Sequence, residues 1–277
     1  MSDYAEAMPA SADPTRAFRR ETTHAIAAVR HGLELVPGSG ADRITSKGGR
    51  DLVTDADTAV EDSIREQLTA ALPAPVIGEE RGGTVPADGA AYWLVDPICG
   101  TRNLASGTPL YSINLALVEH GLVTVGVCGD PSTGDLAVAE RGGGAWACAA
   151  DEWRPLRTDA SSHLVNVEDG KSTGRPRAHA AAFMAEFVSV DRWDFRSLGT
   201  TLGEVYVAAG RFAGYVVFLA PSLHAAAGTL LVTEAGGQLT DIDGGDWTLE
   251  SESFIAAADV ELHRALLQIA RSTRPPA

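Results

Sequence analysis

The chain predicts an α/β protein, because amphipathic helical stretches alternate with short apolar runs rich in β-branched residues. Apolar residues recur at helical spacing in 14–35 and 58–72, while 91–95, 112–118 and 254–258 have the length and composition of strands. A chain of 277 residues, 45% hydrophobic and 21% charged, supports a substantial core in one large domain or two closely joined layers.

Residues 1–14, polar and rich in Ala and Ser, are expected to be a flexible segment ahead of a single domain over 15–270. Phe18, Ile26, Val29 and Leu33 form one helical stripe, closed by the turn Pro37-Gly38-Ser39-Gly40. Thr58 and Glu61 have capping-box spacing and are expected to open a second helix, with Val60, Ile64, Leu68 and Leu72 as its stripe and Pro73 as its stop. Asp55 and Asp57 then fall in or just before the first turn. Strands over 112–118 and 122–127, joined through Glu119-His120-Gly121, predict an antiparallel hairpin. Residues 129–134 are a further turn. Gly142-Gly143-Gly144 lacks the following helix and the Lys-Ser/Thr of a phosphate loop, so it reads as a plain loop. Residues 158–178, polar and Gly/Pro-rich, are expected to be an exposed connection between two sub-layers. A helix over 201–209, a β-rich run over 212–219 and a helix over 223–235 follow, the last capped by Ser222 and ended at Gly236-Gly237. A buried strand over 254–258 and a closing helix to Ile269 complete the pattern, with a fraying tail over 271–277.

The formal net charge of −15 opposes a phosphate backbone, so nucleic acid is not an expected partner. An anionic small molecule stays compatible, since a bound cation reverses the local field. No apolar run reaches the roughly 18 residues of a membrane span, and no membrane partner is expected. Cys99, Cys128 and Cys148 are sparse, odd in number and without Cys-x-x-Cys spacing, which predicts neither a disulfide framework nor a zinc knuckle. Without a signal-like basic start and apolar core, the expected location is the cytoplasm.

The most informative segment is Trp93-Leu94-Val95-Asp96-Pro97-Ile98-Cys99-Gly100-Thr101-Arg102-Asn103. An acidic residue leaving an apolar strand and meeting a Gly-Thr turn is how a chain presents metal and phosphate ligands. Asp51-Leu52-Val53-Thr54-Asp55-Ala56-Asp57 and Ile77-Gly78-Glu79-Glu80 precede it, and His224-Ala225-Ala226-Ala227-Gly228 and Glu234-Ala235-Gly236-Gly237 follow. In this order the motifs resemble the inositol monophosphatase family, over roughly residues 15 to 270.

The resemblance implies a layered αβαβα sandwich and Mg²⁺-dependent hydrolysis of phosphate monoesters, usually by a homodimer. Glu79, Asp96 and the carbonyl of Ile98 match the ligands of a first Mg²⁺, an ion that takes oxygen donors. Glu79 and Thr101 match residues that orient the attacking water. The N–H groups of Gly100 and Thr101, if they open a helix, would receive phosphate oxygens, and Arg102 either meets an anionic substrate or is solvated. Asp57 matches an aspartate tied to a third metal and the nucleophilic water, while a carboxylate in a first helical turn also has a structural role. Lys47 matches a basic residue near the active-site loop, a place where an exposed lysine needs no special explanation.

Cys99 and His224 depart from the pattern, standing where the family has the two further aspartates of a second metal. Thiolate and imidazole disfavour Mg²⁺ and suit Zn²⁺ or iron beside Asp96. If both lie at helix starts, the dipole favours thiolate at Cys99 and neutral imidazole at His224. The same pair also suits a nucleophile and its base, and core filler is the plain alternative. Ala213 and Val217 take the places of acidic residues that select a polyol, so inositol phosphate is not the expected substrate. Three functions stay open: a phosphatase of a small metabolite with a rebuilt second metal site, an enzyme of other chemistry on the same scaffold, and a catalytically silent binding protein.

Overall fold

The computed structural model describes residues 15, 17–36, 44–48, 51–71, 73–170 and 173–276. The expected flexible segment 1–14, the turn 37–40 and Leu72 lie outside them.

In chain order the first elements are α1 (Arg20–Leu35), β1 (Ile44–Gly48), β2 (Asp51–Thr54), α2 (Asp55–Ala71), β3 (Val76–Gly78) and β4 (Tyr92–Cys99). Then come α3 (Thr101–Ala105), β5 (Ser112–Glu119), β6 (Leu122–Asp130), β7 (Asp135–Glu140), β8 (Gly144–Ala149) and β9 (Glu152–Pro155). The second half holds β10 (Leu164–Glu168), α4 (Gly174–Val190), β11 (Asp194–Arg196), α5 (Leu202–Ala208) and β12 (Gly214–Val217). It closes with α6 (Ser222–Glu234), β13 (Gln238–Thr240), β14 (Phe254–Ala257) and α7 (Val260–Ser272).

A seven-stranded sheet runs β3-β4-β5-β6-β7-β8-β9, antiparallel except where β3 meets β4. A five-stranded sheet runs β11-β10-β12-β14-β13, and β1 and β2 form a separate hairpin. Helices α1 and α2 cover one face of the larger sheet, α5 and α6 lie between the sheets, and α4 and α7 cover the far face of the smaller one. This is the expected αβαβα sandwich.

The layering explains the sequence pattern. Strand β5 is sandwiched by helices, so seven of its eight residues are buried and it reads as a continuous apolar run. Helix α6 touches both sheets and is correspondingly apolar all round. Ile64, Leu68, Ile113 and Leu115 in one core layer are fully buried, each contributing about 1.5–3 kcal/mol of transfer free energy. The hairpin joining β5 to β6 has positive φ at His120 and Gly121, as two-residue turns require.

Several expectations are corrected. Helix α2 begins at Asp55, so Thr58 is inside it and is not a cap. Glu61 is buried instead, accepting from the amides of Glu80 and Arg81 and pairing with Arg65. Residues 158–178 contain the buried strand β10, in which apolar residues outweigh the turn-forming neighbours that suggested a loop. The cap of α6 is Pro221, with Ser222 already helical. Helix α7 continues through Arg271 and Ser272, with Arg271 donating to Asp243 O, so the tail does not fray at 271. No helix among the described residues is long and apolar enough to cross a membrane.

Candidate active site

Asp96 and Cys99 come from one strand, and regular alternation would put residues three apart on opposite faces. Pro97 lies between them and has no N–H for the ladder. The register advances from Asp96↔Asn114 to Cys99↔Ser112, three residues on β4 against two on β5, which is a bulge. The extra residue changes the parity, and Asp96 and Cys99 share one pocket.

His224 enters from the first turn of α6. Its Nδ1 lies 2.6 Å from Asp96 Oδ2, and one ligand-competent atom from each of Asp96, Cys99 and His224 lies within 4.8 Å of the others. Asp96 is fully buried, and its Oδ1 has no hydrogen-bond partner. Cys99 Sγ accepts from the Thr201 amide at 3.3 Å.

Protonation runs against the expectation from helix dipoles. Burial pushes the Cys99 thiol up, the charge of Asp96 adds to this, and His224 and the Thr201 amide only partly oppose it. At His224 burial disfavours the imidazolium, yet the charge and hydrogen bond of Asp96, with Cys99, hold its pKa well above the ordinary value. A neighbouring carboxylate at contact distance outweighs the partial charge of a helix end.

On the other side of the pocket, α3 opens at Thr101 behind Gly100. Gly100 has φ +105°, and a Cβ there would lie 2.8 Å from Leu110 O, so glycine is required. Thr101 Oγ1 is 3.1 Å from both Asp57 Oδ1 and Ile98 O, and its single hydrogen serves one of them at a time. Asp57 is fully buried in the first turn of α2, with Oδ2 accepting from the amide and hydroxyl of Thr54. Burial raises the Asp57 pKa, the hydrogen bonds from Thr54 and Thr101 oppose this, and the charge of Asp96 adds to it.

Glu79 follows β3, and its amide donates to Val95 O at 3.2 Å, which sets its backbone one residue from Asp96. It is half-buried and outside the Asp96–Cys99–His224 cluster. Arg102 and Asp55 are exposed, and the side chain of Lys47 is outside the described set. Ala213 and Val217 are core residues on and beside β12. Gly142-Gly143-Gly144 does cradle an anion, but an internal one: the amides of Gly142 and Gly144 donate to the Glu234 carboxylate.

Sequence reasoning missed three polar residues behind this pocket. Asn114 Nδ2 donates to Thr201 Oγ1 at 2.8 Å, supporting the segment that meets Cys99. Glu204 on α5 is fully buried with neither carboxylate oxygen partnered. It occupies the space above Gly228, where a Cβ would lie 2.0 Å from Glu204 Oε2. Glu168 ends β10 and accepts from the backbone amides of Leu198 and Gly199. A lone acid within an apolar run was the available signal for Glu204; Glu168, followed by Asp169 and Gly170, carried none.

The donor sets divide by chemistry. Asp96 Oδ1 is a buried carboxylate acceptor without a donor, the kind of oxygen that suits a hard cation such as Mg²⁺. The Cys99 thiol and His224 imidazole do not suit Mg²⁺; they suit Zn²⁺ or iron.

The chain matches the inositol monophosphatase family model over residues 16–274. An inositol-1-monophosphatase of Mesorhizobium japonicum is 36% identical over 233 residues, covering 82% of this chain and 85% of that protein. A relative in Haemophilus influenzae named Nus factor SuhB is 34% identical, covering 83% of this chain and 85% of its own. The crystal structure of extragenic suppressor protein SuhB from Bartonella henselae superposes with a TM-score of 0.80 at 25% identity, covering 90% of this chain and 97% of that one. The chain belongs to the inositol monophosphatase family.

Proposed function

We propose that the protein is a metal-dependent hydrolase of a phosphate monoester of a small metabolite, with Cys99 and His224 replacing two aspartate ligands of a second Mg²⁺ beside Asp96. The convergence of these three side chains, from positions up to 128 residues apart, carries this reading. A hard cation at Glu79, Asp96 and Ile98 O and a softer one at Asp96, Cys99 and His224 would supply Lewis-acid charge at the phosphoryl group.

The chain's own residues supply the rest. Asp57 accepts the Thr101 hydrogen and leaves the hydroxyl lone pairs to orient an attacking water, a task in which Glu79 would share. Asp96 fixes the orientation of the His224 ring through Nδ1, leaving the other ring nitrogen for the softer cation. Gly100 and Thr101 present backbone N–H groups to the phosphate, and Arg102 stands at the exposed rim. Missing acids at Ala213 and Val217 support a substrate other than inositol phosphate. The net charge of −15 supports small anionic partners over nucleic acid. We take the protein to work as a homodimer in the cytoplasm.

Phosphate release from a set of metabolite phosphates, with Mg²⁺, Zn²⁺ and Fe²⁺ each supplied, tests the reading. Release with a soft ion present upholds it, and no release with any ion counts against it.

A second reading is favoured by the 2.6 Å contact of His224 Nδ1 with Asp96 Oδ2, which resembles a base and its orienting acid. The Cys99 thiol would pass its proton to His224 while sulfur bonds to phosphorus and the ester oxygen leaves with that proton. Water would then cleave the S–P bond, regenerating the thiol. The raised thiol pKa makes this the weaker alternative. A phosphoryl adduct on Cys99, seen by mass spectrometry after rapid quenching, would establish it.

A further inference from the structure

Residues 197–201, between β11 and α5, connect the smaller sheet to the Cys99 pocket. On one side Glu168 Oε1 accepts from the amides of Leu198 at 2.5 Å and Gly199 at 2.7 Å, while Oε2 accepts from Ser197 Oγ at 3.0 Å. Two successive amides converge on one oxygen, an anion-holding arrangement that the positive φ of Gly199 (+67°) helps to form. On the other side Thr200 Oγ1 donates to Cys99 O at 3.0 Å and the Thr201 amide donates to Cys99 Sγ at 3.3 Å. Asn103 Nδ2, on α3, also donates to Leu198 O at 2.7 Å.

Glu168 is 8% exposed, whereas Ser197 and Gly199 are at the surface. Water would satisfy those surface groups without help, so a buried carboxylate is not needed to meet their hydrogen bonding. What it adds is location: it ties the segment down so that Thr200 and Thr201 reach the Cys99 backbone and sulfur.

We propose that Glu168 is a positioning residue for the Cys99 pocket, seating segment 197–201 over the thiol from the opposite sheet. The effect on turnover rests on the reading of Cys99 as part of the functional centre; the seating does not.

The test uses the full chain with Glu168→Ala, Glu168→Asp and Glu168→Gln. It reads amide hydrogen exchange over 197–202 and the rate of Cys99 alkylation by N-ethylmaleimide at one fixed pH. In Glu168→Ala the amides of Gly199 and Thr201 are expected to lose protection, and Leu198 to lose less because it also donates to Asn166 Oδ1 at 3.1 Å. Cys99 is expected to alkylate at least about tenfold faster, because three hydrogen bonds to the carboxylate are lost and even one such bond shifts a local opening equilibrium by about that factor. Cys128 and Cys148, both buried, stay unreacted if the fold is kept. Glu168→Gln retains an oxygen for the two amides and is expected to behave as wild type. Glu168→Asp withdraws the carboxylate by one methylene and keeps the assay decisive should the alanine variant not fold; it is expected to move both readouts in the alanine direction. A folded Glu168→Ala or Glu168→Asp protein with wild-type exchange and alkylation overturns the proposal. Faster alkylation with unchanged phosphate release upholds the seating and counts against a part for Cys99 in turnover, so the two failures are read separately.

Discussion

His224 Nδ1 lies 2.6 Å from Asp96 Oδ2, joining the start of α6 to the bulged end of β4. With Cys99 Sγ in the same cluster, aspartates at 99 and 224 would face Asp96 across one ion's space. The double variant Cys99→Asp, His224→Asp is therefore expected to raise Mg²⁺-dependent phosphate release at least about tenfold, a barrier change near 1.4 kcal/mol. Three clustered carboxylates repel one another without an ion, so its melting temperature should rise on adding Mg²⁺ more than that of wild type. A folded double variant that stays inactive and indifferent to Mg²⁺ would argue against a rebuilt second site.

Thr101 is the link between Asp57 and the Ile98 carbonyl. On the proposed reading Thr101→Ala removes the hydroxyl that would orient water, and phosphate release is expected to fall by about 10²–10⁴. Thr101→Ser keeps the hydroxyl and should recover most of that loss. Equal losses in the two variants would show that the hydroxyl is not the relevant group.

Much of this centre was legible in the sequence, and the parts that were not have physical causes. Asp96, Cys99, Gly100 and Thr101 lie in one short segment whose spacing survives folding. Helix α2 with its first-turn acids and the β5–β6 hairpin were visible as periodicity. Strand β10 was hidden because five apolar-dominated residues sit among Gly, Pro and Ser, where local composition reads as loop. Burial and the Asp96 charge shift Cys99 upward, and against burial the Asp96 charge shifts His224 upward; a 2.6 Å neighbour is a tertiary fact that helix position cannot supply. Glu204 was passed over because only the packing of α5 on Gly228 reveals that its carboxyl has no partner.

Glu204 gives a pH signature. Burial raises its carboxyl well above the usual range, with His224 only partly opposing. Below the unfolded-state value, about 4.3, both states hold the proton and there is no penalty. As pH rises past that value the unfolded chain releases a proton that the folded chain keeps, so stability falls by up to about 1.4 kcal/mol per pH unit until the folded carboxyl itself ionises. Glu204→Gln should remove this slope, and its stability advantage over wild type in urea titrations should widen from pH 5 to pH 7. Parallel curves would mean that the carboxyl is not held neutral.

Gly100 combines φ +105° with a backbone oxygen 2.8 Å from its hypothetical Cβ. Gly100→Ala is expected to cost at least about 1–3 kcal/mol, measured as a lower denaturant midpoint, with loss of phosphate release because Thr101 shifts with the turn. A variant as stable and active as wild type would show that the turn has slack.

The most direct test of the central claim is calorimetric titration of metal-free protein with Zn²⁺, beside the single variants Cys99→Ser and His224→Ala. One tight Zn²⁺ per chain that millimolar Mg²⁺ does not displace is the expected result. Each variant should weaken it more than about 100-fold, the upper range for losing an outer hydrogen-bond partner of a ligand. Wild-type Zn²⁺ affinity in both variants, or no Zn²⁺ binding together with phosphate release driven by Mg²⁺ alone, would contradict it.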